Sequence, residues 1–244
     1  MDDYREPEPG RRGGEGVLNP VVAGVGLAIH EQRLPPGTRL AENDLAEIYG
    51  VSRTVVRAGL QELALGHLVT LKANRGASVA QPSFDEAREV FEARELVEPR
   101  TAREAARKAG AADVERLRSH LLEEREALAD RDHGRALRLS SSFHIEIARI
   151  AGQRTLLEFI EGLVARSALI IALYWRNERA RCDSPCHATL VEAIARGDAD
   201  EAEDIMRSHL VDIHSALRLV DDDRSGKDLR SMLMPEVTAA HRHR

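Results

Sequence analysis

The hydrophobic pattern of this chain changes at residues 81–83, and that change is the strongest constraint on its fold. After it, apolar residues recur at helical spacing in six runs, separated by short breaks. The runs are rich in Ala, Leu, Arg and Glu, which favour helix, and aromatic residues make up only 3% of the chain. The sequence therefore predicts an all-α domain over residues 84–220, large enough to bury a core or a ligand cavity. Its helices are expected at roughly residues 84–109, 112–130, 133–150, 153–180, 185–196 and 198–220, the first kinked or split at Pro99.

Residues 17–80 follow a different pattern of short helical segments. Helices are expected over residues 21–32 and 42–49, and Ser52 is placed to cap a third helix that runs to Leu65. The second and third helices are joined by a short Gly-Val turn, which is typical of a helix-turn-helix.

The third helix and the segment after it complete this pattern. Val56, Leu60 and Leu63 fall at i, i+4 and i+7, which predicts one buried stripe. Residues 68–71 and 77–79 can then pair as strands around a basic tip. Such a hairpin is what a winged helix-turn-helix adds to the helices.

The charge distribution limits where DNA could bind. The net charge of −6 argues against a protein that coats nucleic acid indiscriminately. The acidic excess lies mainly in residues 81–220, whereas residues 17–80 carry six basic and five acidic side chains. A surface for DNA phosphates is therefore expected in residues 17–80.

The ends of the chain and its cysteines indicate its surroundings. Residues 1–16 and 221–244 offer little to bury, and we expect a disordered arm and a disordered tail. No apolar stretch is long enough to span a bilayer, and the N-terminus lacks the apolar core of a secretion signal. Two cysteines cannot form a disulfide framework, so a reducing cytoplasm is expected.

Two sets of short motifs occur in a fixed order along the chain. The first set is Leu34-Pro35-Pro36-Gly37-Thr38-Arg39-Leu40, Leu45-Ala46, Gly50-Val51-Ser52-Arg53-Thr54, Val56-Arg57 and Arg75-Gly76. The second set is Phe143-His144, Ala151-Gly152, His187, Ala193-Ile194, Gly197-Asp198, Ala202, Met206 and His209-Leu210. The first resembles the winged helix-turn-helix of the GntR family of bacterial transcription regulators, and the second resembles the all-helical FCD ligand domain of its FadR subfamily. The resemblance implies a mainly α protein, with a winged helix-turn-helix and small β-hairpin wing followed by an all-α FCD bundle.

The winged helix-turn-helix supplies the candidate DNA contacts. Long donors near the start of a recognition helix reach the floor of the major groove, which favours Arg53 and Arg57 as base contacts. Ser52 and Thr54 are placed to bind phosphate beside the helix N-terminus. From the wing, Arg75 and Gly76 are expected to follow the DNA backbone or the minor groove. The alternative is that Arg53 and Arg57 are solvated surface charges.

Several positions depart from the family pattern. Ala41 stands where a capping Ser is usual, which costs about 1 kcal/mol of helix stability. Asn43 replaces a customary Arg and so removes a DNA contact that the family pattern implies. Gly59 replaces a helix-favouring Ala, again at a cost of about 1 kcal/mol.

Three histidines are the candidate metal ligands. His144, His187 and His209 lie on separate predicted helices, and their spacing gives no local chelate. The resemblance implies that they bind a divalent ion together with an Asp four residues before the first, where this chain has Ser140. Three imidazoles can still hold Zn²⁺ or Ni²⁺ with positions open for water or an effector carboxylate. A metal-free cavity, with the histidines bonded directly to a ligand, is the alternative.

Other polar residues leave further alternatives. Arg94 stands at an effector-facing position by resemblance, where it would clamp a carboxylate, or it pairs with Glu98 one turn along the helix. Asp183 is a candidate for the missing ligand. Cys182 and Cys186 bind metal, act as a redox pair, or remain reduced thiols.

The resemblance implies a ligand-responsive transcriptional regulator, a repressor, that binds a palindromic operator as a homodimer in the bacterial cytoplasm and on the nucleoid. A small carboxylate or sugar acid is the expected effector, and no enzymatic chemistry is expected. Two alternative hypotheses remain. The chain is a metalloenzyme that uses the histidines, or it is a constitutive DNA-binding protein with a vestigial cavity.

Overall fold

A computed structural model of the chain describes residues 19–72, 76–174 and 184–217. The expected arm, residues 1–16, and the expected tail, residues 221–244, lie outside the described residues. None of the helices in the described ranges is long and apolar enough to cross a membrane.

The N-terminal part of the chain folds as a winged helix-turn-helix, as the sequence predicts. Its elements are α1 (Pro20–His30), β1 (Arg39–Leu40), α2 (Glu42–Tyr49), α3 (Arg53–Leu65), β2 (Val69–Lys72) and β3 (Gly76–Val79). The strands form an antiparallel sheet in the order β1-β3-β2, with Arg39 opposite Ser78 and Val69 opposite Val79. The sequence prediction missed β1, because two residues between a proline turn and a helix show no alternation.

Local signals in the sequence account for the ends of the two central helices. Gly50 ends α2 in a left-handed conformation (φ 63°), which glycine adopts without strain. The Ser52 hydroxyl accepts a hydrogen bond from the Val55 N–H at 3.4 Å and so caps α3. Ala41 offers α2 no side-chain cap, as expected from the sequence. The predicted stripe of Val56, Leu60 and Leu63 is buried in the domain core.

Gly59 has a packing role that its helix propensity does not reveal. It is buried where α1 begins against α3, and a Cβ there would lie 3.0 Å from the Asn19 amide and from the Val21 Cβ. Nearby, Asn19 Nδ2 donates to the Val55 carbonyl at 3.0 Å. The small residue therefore lets two helices meet, which offsets its poor helix propensity.

The C-terminal part is an all-α bundle, as predicted. Its helices are α4 (Phe84–Lys108), α5 (Ala111–Ala129), α6 (His133–Ala151), α7 (Arg154–Tyr174), α8 (Ser184–Arg196) and α9 (Ala199–Ala216). Helix α4 is central and contacts α6, α7, α8 and α9. Asp132 and Asp198 cap α6 and α9, because each side chain accepts a hydrogen bond from a backbone N–H three residues on. Beyond Tyr174, the part of the predicted fourth helix up to residue 180 lies outside the described ranges.

Of the two outcomes expected at Pro99, a kink or a split, the split does not occur. Pro99 lies buried inside one continuous helix, α4, of 25 residues. A proline inside a helix costs about 3 kcal/mol, and packing against four other helices outweighs that cost. Gly110 is the N-cap residue of α5, and its N–H donates to Asp113 Oδ2 at 2.8 Å.

The two parts of the chain touch through α1. Leu169 of α7 is buried in the same core as the winged helix-turn-helix. Arg138 Nε of α6 donates to Glu31 Oε1 at the end of α1, at 3.1 Å. A Cβ on Gly134 would lie only 2.5 Å from the Glu31 carbonyl oxygen, so α6 and α1 are in close contact there.

Candidate metal centre and nucleic-acid interface

The three candidate metal ligands converge at the centre of the bundle. His144 of α6, His187 of α8 and His209 of α9 are all buried, and each offers one nitrogen within 4.8 Å of the other two. His187 Nε2 and His209 Nε2 are 3.2 Å apart, and the rings of His144 and His209 stack at 5.4 Å between centroids. The cluster is assembled by three helices, so only the tertiary structure brings it together.

Helical spacing explains why the histidines point inward. Each lies on a helix face that also carries buried apolar residues, such as Ile147 on α6, Val191 on α8 and Met206 on α9. The Phe143 ring also stacks on His187 with 4.4 Å between centroids. Burial of these faces therefore drives the histidines into the interior.

Two buried carboxylates hold two of the rings. Glu98 Oε2 of α4 lies 2.6 Å from His144 Nδ1, and Glu124 Oε2 of α5 lies 3.0 Å from His187 Nδ1. A neutral imidazole donating from Nδ1 to a carboxylate keeps its Nε2 lone pair available, which is the tautomer that a metal ligand needs. Both oxygens thus sit behind the rings rather than within the cluster.

Arg94 is linked to the histidine cluster through its ion pair with Glu98. It is buried and pairs with Glu98, and its guanidinium carbon lies 5.4 Å from the centre of the Phe91 ring. Burial alone would raise the pKa of Glu98, but Arg94 and His144 outweigh it and lower that pKa to about 2. The pairing that the sequence left as an alternative for Arg94 is present, and its contact with an effector stays a prediction.

Ser140 lies one turn before His144 and is buried beside it. Its hydroxyl is a weaker metal ligand than the Asp of the family pattern. The donor set in the described residues is therefore three imidazoles with two carboxylates behind them. Three buried nitrogens at this separation fit Zn²⁺ or Ni²⁺.

Sequence reasoning missed Glu124 and recognised Glu98 only as a partner for Arg94. A signal for Glu124 is present: it continues the buried stripe of Val114, Leu117 and Leu121 on α5. A carboxylate in an apolar stripe is rarely buried without a partner, so the pattern indicates a functional position. Cys182 and Asp183 lie outside the described residues, and Cys186 is half-buried.

The candidate DNA contacts lie together on an exposed surface of α3. Ser52, Arg53 and Thr54 are exposed at its N-terminal end. Arg57 is also exposed, and its Nε donates to Glu42 Oε2 on α2 at 2.8 Å. An arginine held by a carboxylate loses less conformational freedom when it meets DNA, but that pair must open or be shared.

A groove between α3 and the strands extends this surface. It is lined by Arg57 and Gln61 on α3 and by Lys72 and Gly76 on the wing. Gly76 is exposed with φ at 80°, a conformation that favours glycine, while Arg75 lies outside the described residues. Lys72, which the sequence analysis did not select, adds a further cation to this surface.

Comparison with known proteins decides which family combines these two parts. Residues 21–79 match the model of bacterial regulatory proteins of the gntR family, and residues 89–212, half of the chain, match the FCD domain. The chain belongs to the GntR family. It is a DNA-binding transcriptional regulator with an FCD domain, and the proteins it matches are regulators rather than enzymes.

Curated relatives of this GntR regulator share about a quarter of its residues. The Nta operon transcriptional regulator of Aminobacter aminovorans is 26% identical over 72% of this chain and 82% of its own length. The transcriptional repressor RspR of Escherichia coli is 25% identical over 79% and 85%. LutR of Bacillus subtilis is 28% identical over 78% and 95%.

Solved structures share the fold over about four fifths of the chain. Escherichia coli McbR/YncC superposes with a TM-score of 0.72 at 19% identity, covering 80% of this chain and 94% of that one. A GntR transcriptional regulator from Rhodococcus sp. RHA1 gives 0.71 at 23% identity, with the same coverage. These similarities confirm the fold expected from the sequence.

Proposed function

We propose that this GntR regulator is a repressor of the FadR subfamily that binds a palindromic operator as a homodimer in the cytoplasm. A small carboxylate or sugar acid bound in the helical domain controls its affinity for DNA. The observation that carries the proposal is the buried cluster of His144, His187 and His209. This cluster of imidazoles, to which buried Arg94 is linked through Glu98, suits an anionic ligand better than an apolar one.

A divalent ion is part of the proposal. His144, His187 and His209 would hold Zn²⁺ or Ni²⁺ through one nitrogen each. When bound, the ion supplies a positive charge and open coordination positions for a carboxylate. The residues around it exclude water: Phe143 covers one face of His187, and Ile147 and Met206 are fully buried nearby.

Helix α6 is the proposed route between effector and DNA. His144 lies in its second half, while Gly134 and Arg138 in its first half touch Glu31 at the end of α1. Helix α1 in turn packs against the recognition helix α3. A ligand that moves α6 therefore has a rigid connection to α3, and its differential affinity for two arrangements sets the change in DNA affinity.

The DNA-binding part of the proposal is tested with duplexes selected from a random pool by the protein. We expect Arg53→Ala to lose about 1–3 kcal/mol of binding free energy in fluorescence anisotropy at physiological salt. Arg154→Ala is the matched control, because its side chain is 92% exposed on α7 in the helical domain. Equal affinities of Arg53→Ala and the wild type would refute the assignment of α3.

The effector part is tested by thermal shift with panels of small carboxylates and sugar acids, each with Zn²⁺ and with chelator. We expect one class to raise the melting temperature and to release the selected duplex. A panel in which no acid changes either quantity indicates a constitutive DNA-binding protein. The direction of regulation is read from a reporter placed behind the selected operator, where deletion of the regulator raises expression of a repressed gene.

A further inference from the structure

Glu124 differs from the other buried carboxylate near the histidines in how its charge is balanced. Glu98 pairs with Arg94, so its negative charge has a fixed cation beside it. Glu124 is also buried, and among the described residues no Lys or Arg lies within ion-pair distance of it. Its polar partner is His187 Nδ1 at 3.0 Å.

A buried carboxylate with no lysine or arginine beside it is costly, because burial removes the water that stabilises the ion. The cost falls if a cation lies on the far side of the same ring. His187 Nε2 faces His209 Nε2 at 3.2 Å, within the cluster of three histidines. A divalent ion in that cluster would be separated from Glu124 by one imidazole.

Ser140 explains why a charge behind the histidines matters, because it stands where the family pattern has a carboxylate ligand. With a hydroxyl in place of a carboxylate at that position, the three imidazoles bring no negative charge to the ion. In the described part of the chain, the carboxylates that contact these imidazoles lie behind the rings, and Arg94 already balances one of them.

The geometry points to Glu124 as the residue that supplies the counter-charge for a divalent ion at His144, His187 and His209, acting through His187 as a positioning residue. It fixes the ring with Nδ1 as donor and Nε2 towards the ion, and it makes His187 a stronger ligand. This inference rests on the metal site of the proposed function.

The test is Zn²⁺ affinity, measured by competition with a chromogenic chelator on the full chain. We expect Glu124→Gln, which keeps the shape and removes the charge, to weaken Zn²⁺ binding about 10–100-fold. Glu123→Gln is the matched control, since Glu123 is the exposed neighbour on the same helix, and its affinity should stay within about twofold of the wild type. Melting curves in chelator establish that each variant is folded.

A second measurement needs no variant. Long-range proton–nitrogen correlation on the wild-type histidines should show His187 protonated at Nδ1, with the Nε2 signal shifted by Zn²⁺. Coordination through Nδ1, or Glu124→Gln with wild-type affinity, overturns this inference and leaves the metal site standing. A wild-type protein that takes up no Zn²⁺ overturns both.

Discussion

Three buried polar side chains of the helical domain contact one another in sequence, and each is stabilised by its neighbour. Arg94 pairs with Glu98, and Glu98 in turn contacts His144 Nδ1 at 2.6 Å. All of them are buried, so water cannot replace a missing partner. If one of these side chains is removed, its partner keeps a buried charge without compensation, and the free energy of unfolding falls.

Arg94→Met tests this dependence at a single residue. We expect a loss of about 3–5 kcal/mol in the free energy of unfolding, because Glu98 keeps its buried charge without its cation. The measurement is urea denaturation in the presence of chelator, with Arg154→Met as the exposed control. A loss below about 1 kcal/mol would indicate that Glu98 is neutralised in another way.

Ser140→Asp tests the ligand that this chain lacks. The carboxylate would sit one turn before His144, so we expect Zn²⁺ affinity to rise roughly tenfold or more. Without metal the new carboxylate is a buried charge, and the melting temperature in chelator should fall. Ser141→Asp, half-buried on the same helix, should change neither quantity much. Weaker Zn²⁺ binding by Ser140→Asp would place the ion away from this side of the cluster.

Helix α6 contacts both the DNA-binding domain and the histidine cluster. Its first turns press against the end of α1, and its later turns hold His144 and Phe143. A helix transmits a displacement along its axis because its backbone hydrogen bonds keep it stiff. The contact between Gly134 and Glu31 is therefore the place where coupling can be broken without changing either site.

Gly134→Ala is the corresponding prediction. The new Cβ would lie 2.5 Å from the Glu31 carbonyl oxygen, so α1 and α6 must separate, at a cost of about 1–3 kcal/mol. We expect Zn²⁺ affinity to be retained while the effect of Zn²⁺ and effector on DNA binding, measured by anisotropy, is reduced.

Gly162→Ala is the control for this substitution. Gly162 lies inside α7 with nothing within 4 Å of an added Cβ, so the variant should gain about 0.5–1 kcal/mol in helix stability and keep its response. An unchanged response in Gly134→Ala would exclude α6 as the route between the sites.

The DNA-binding domain is nearly neutral, which limits how strongly one copy of the protein binds DNA. Residues 17–80 carry six basic and five acidic side chains, so one copy holds DNA weakly through phosphates. Large apolar side chains are exposed on the helical domain, including Leu96 at 79% and Phe159 at 61%. A surface of this kind is available to a second copy, and two linked copies would gain affinity through simultaneous binding.

We therefore expect a duplex with one intact half-site to bind roughly 100-fold more weakly than the full palindrome. The measurement is anisotropy at physiological salt, with the mass of the free protein determined by light scattering. A monomeric mass together with equal affinity for both duplexes would contradict the dimer.

The sequence was sufficient to predict the helical bundle, the winged helix-turn-helix and the ends of most helices, because these depend on hydrophobic period and capping residues close together in the chain. It also selected the three histidines, through motif order. The folded structure was needed to show three further features. Glu98 and Glu124 lie behind His144 and His187, Pro99 does not split α4, and Gly59 and Gly134 lie at helix contacts. These depend on packing between residues far apart in sequence, where a carboxylate or a glycine on one helix acquires its meaning from the helix it meets.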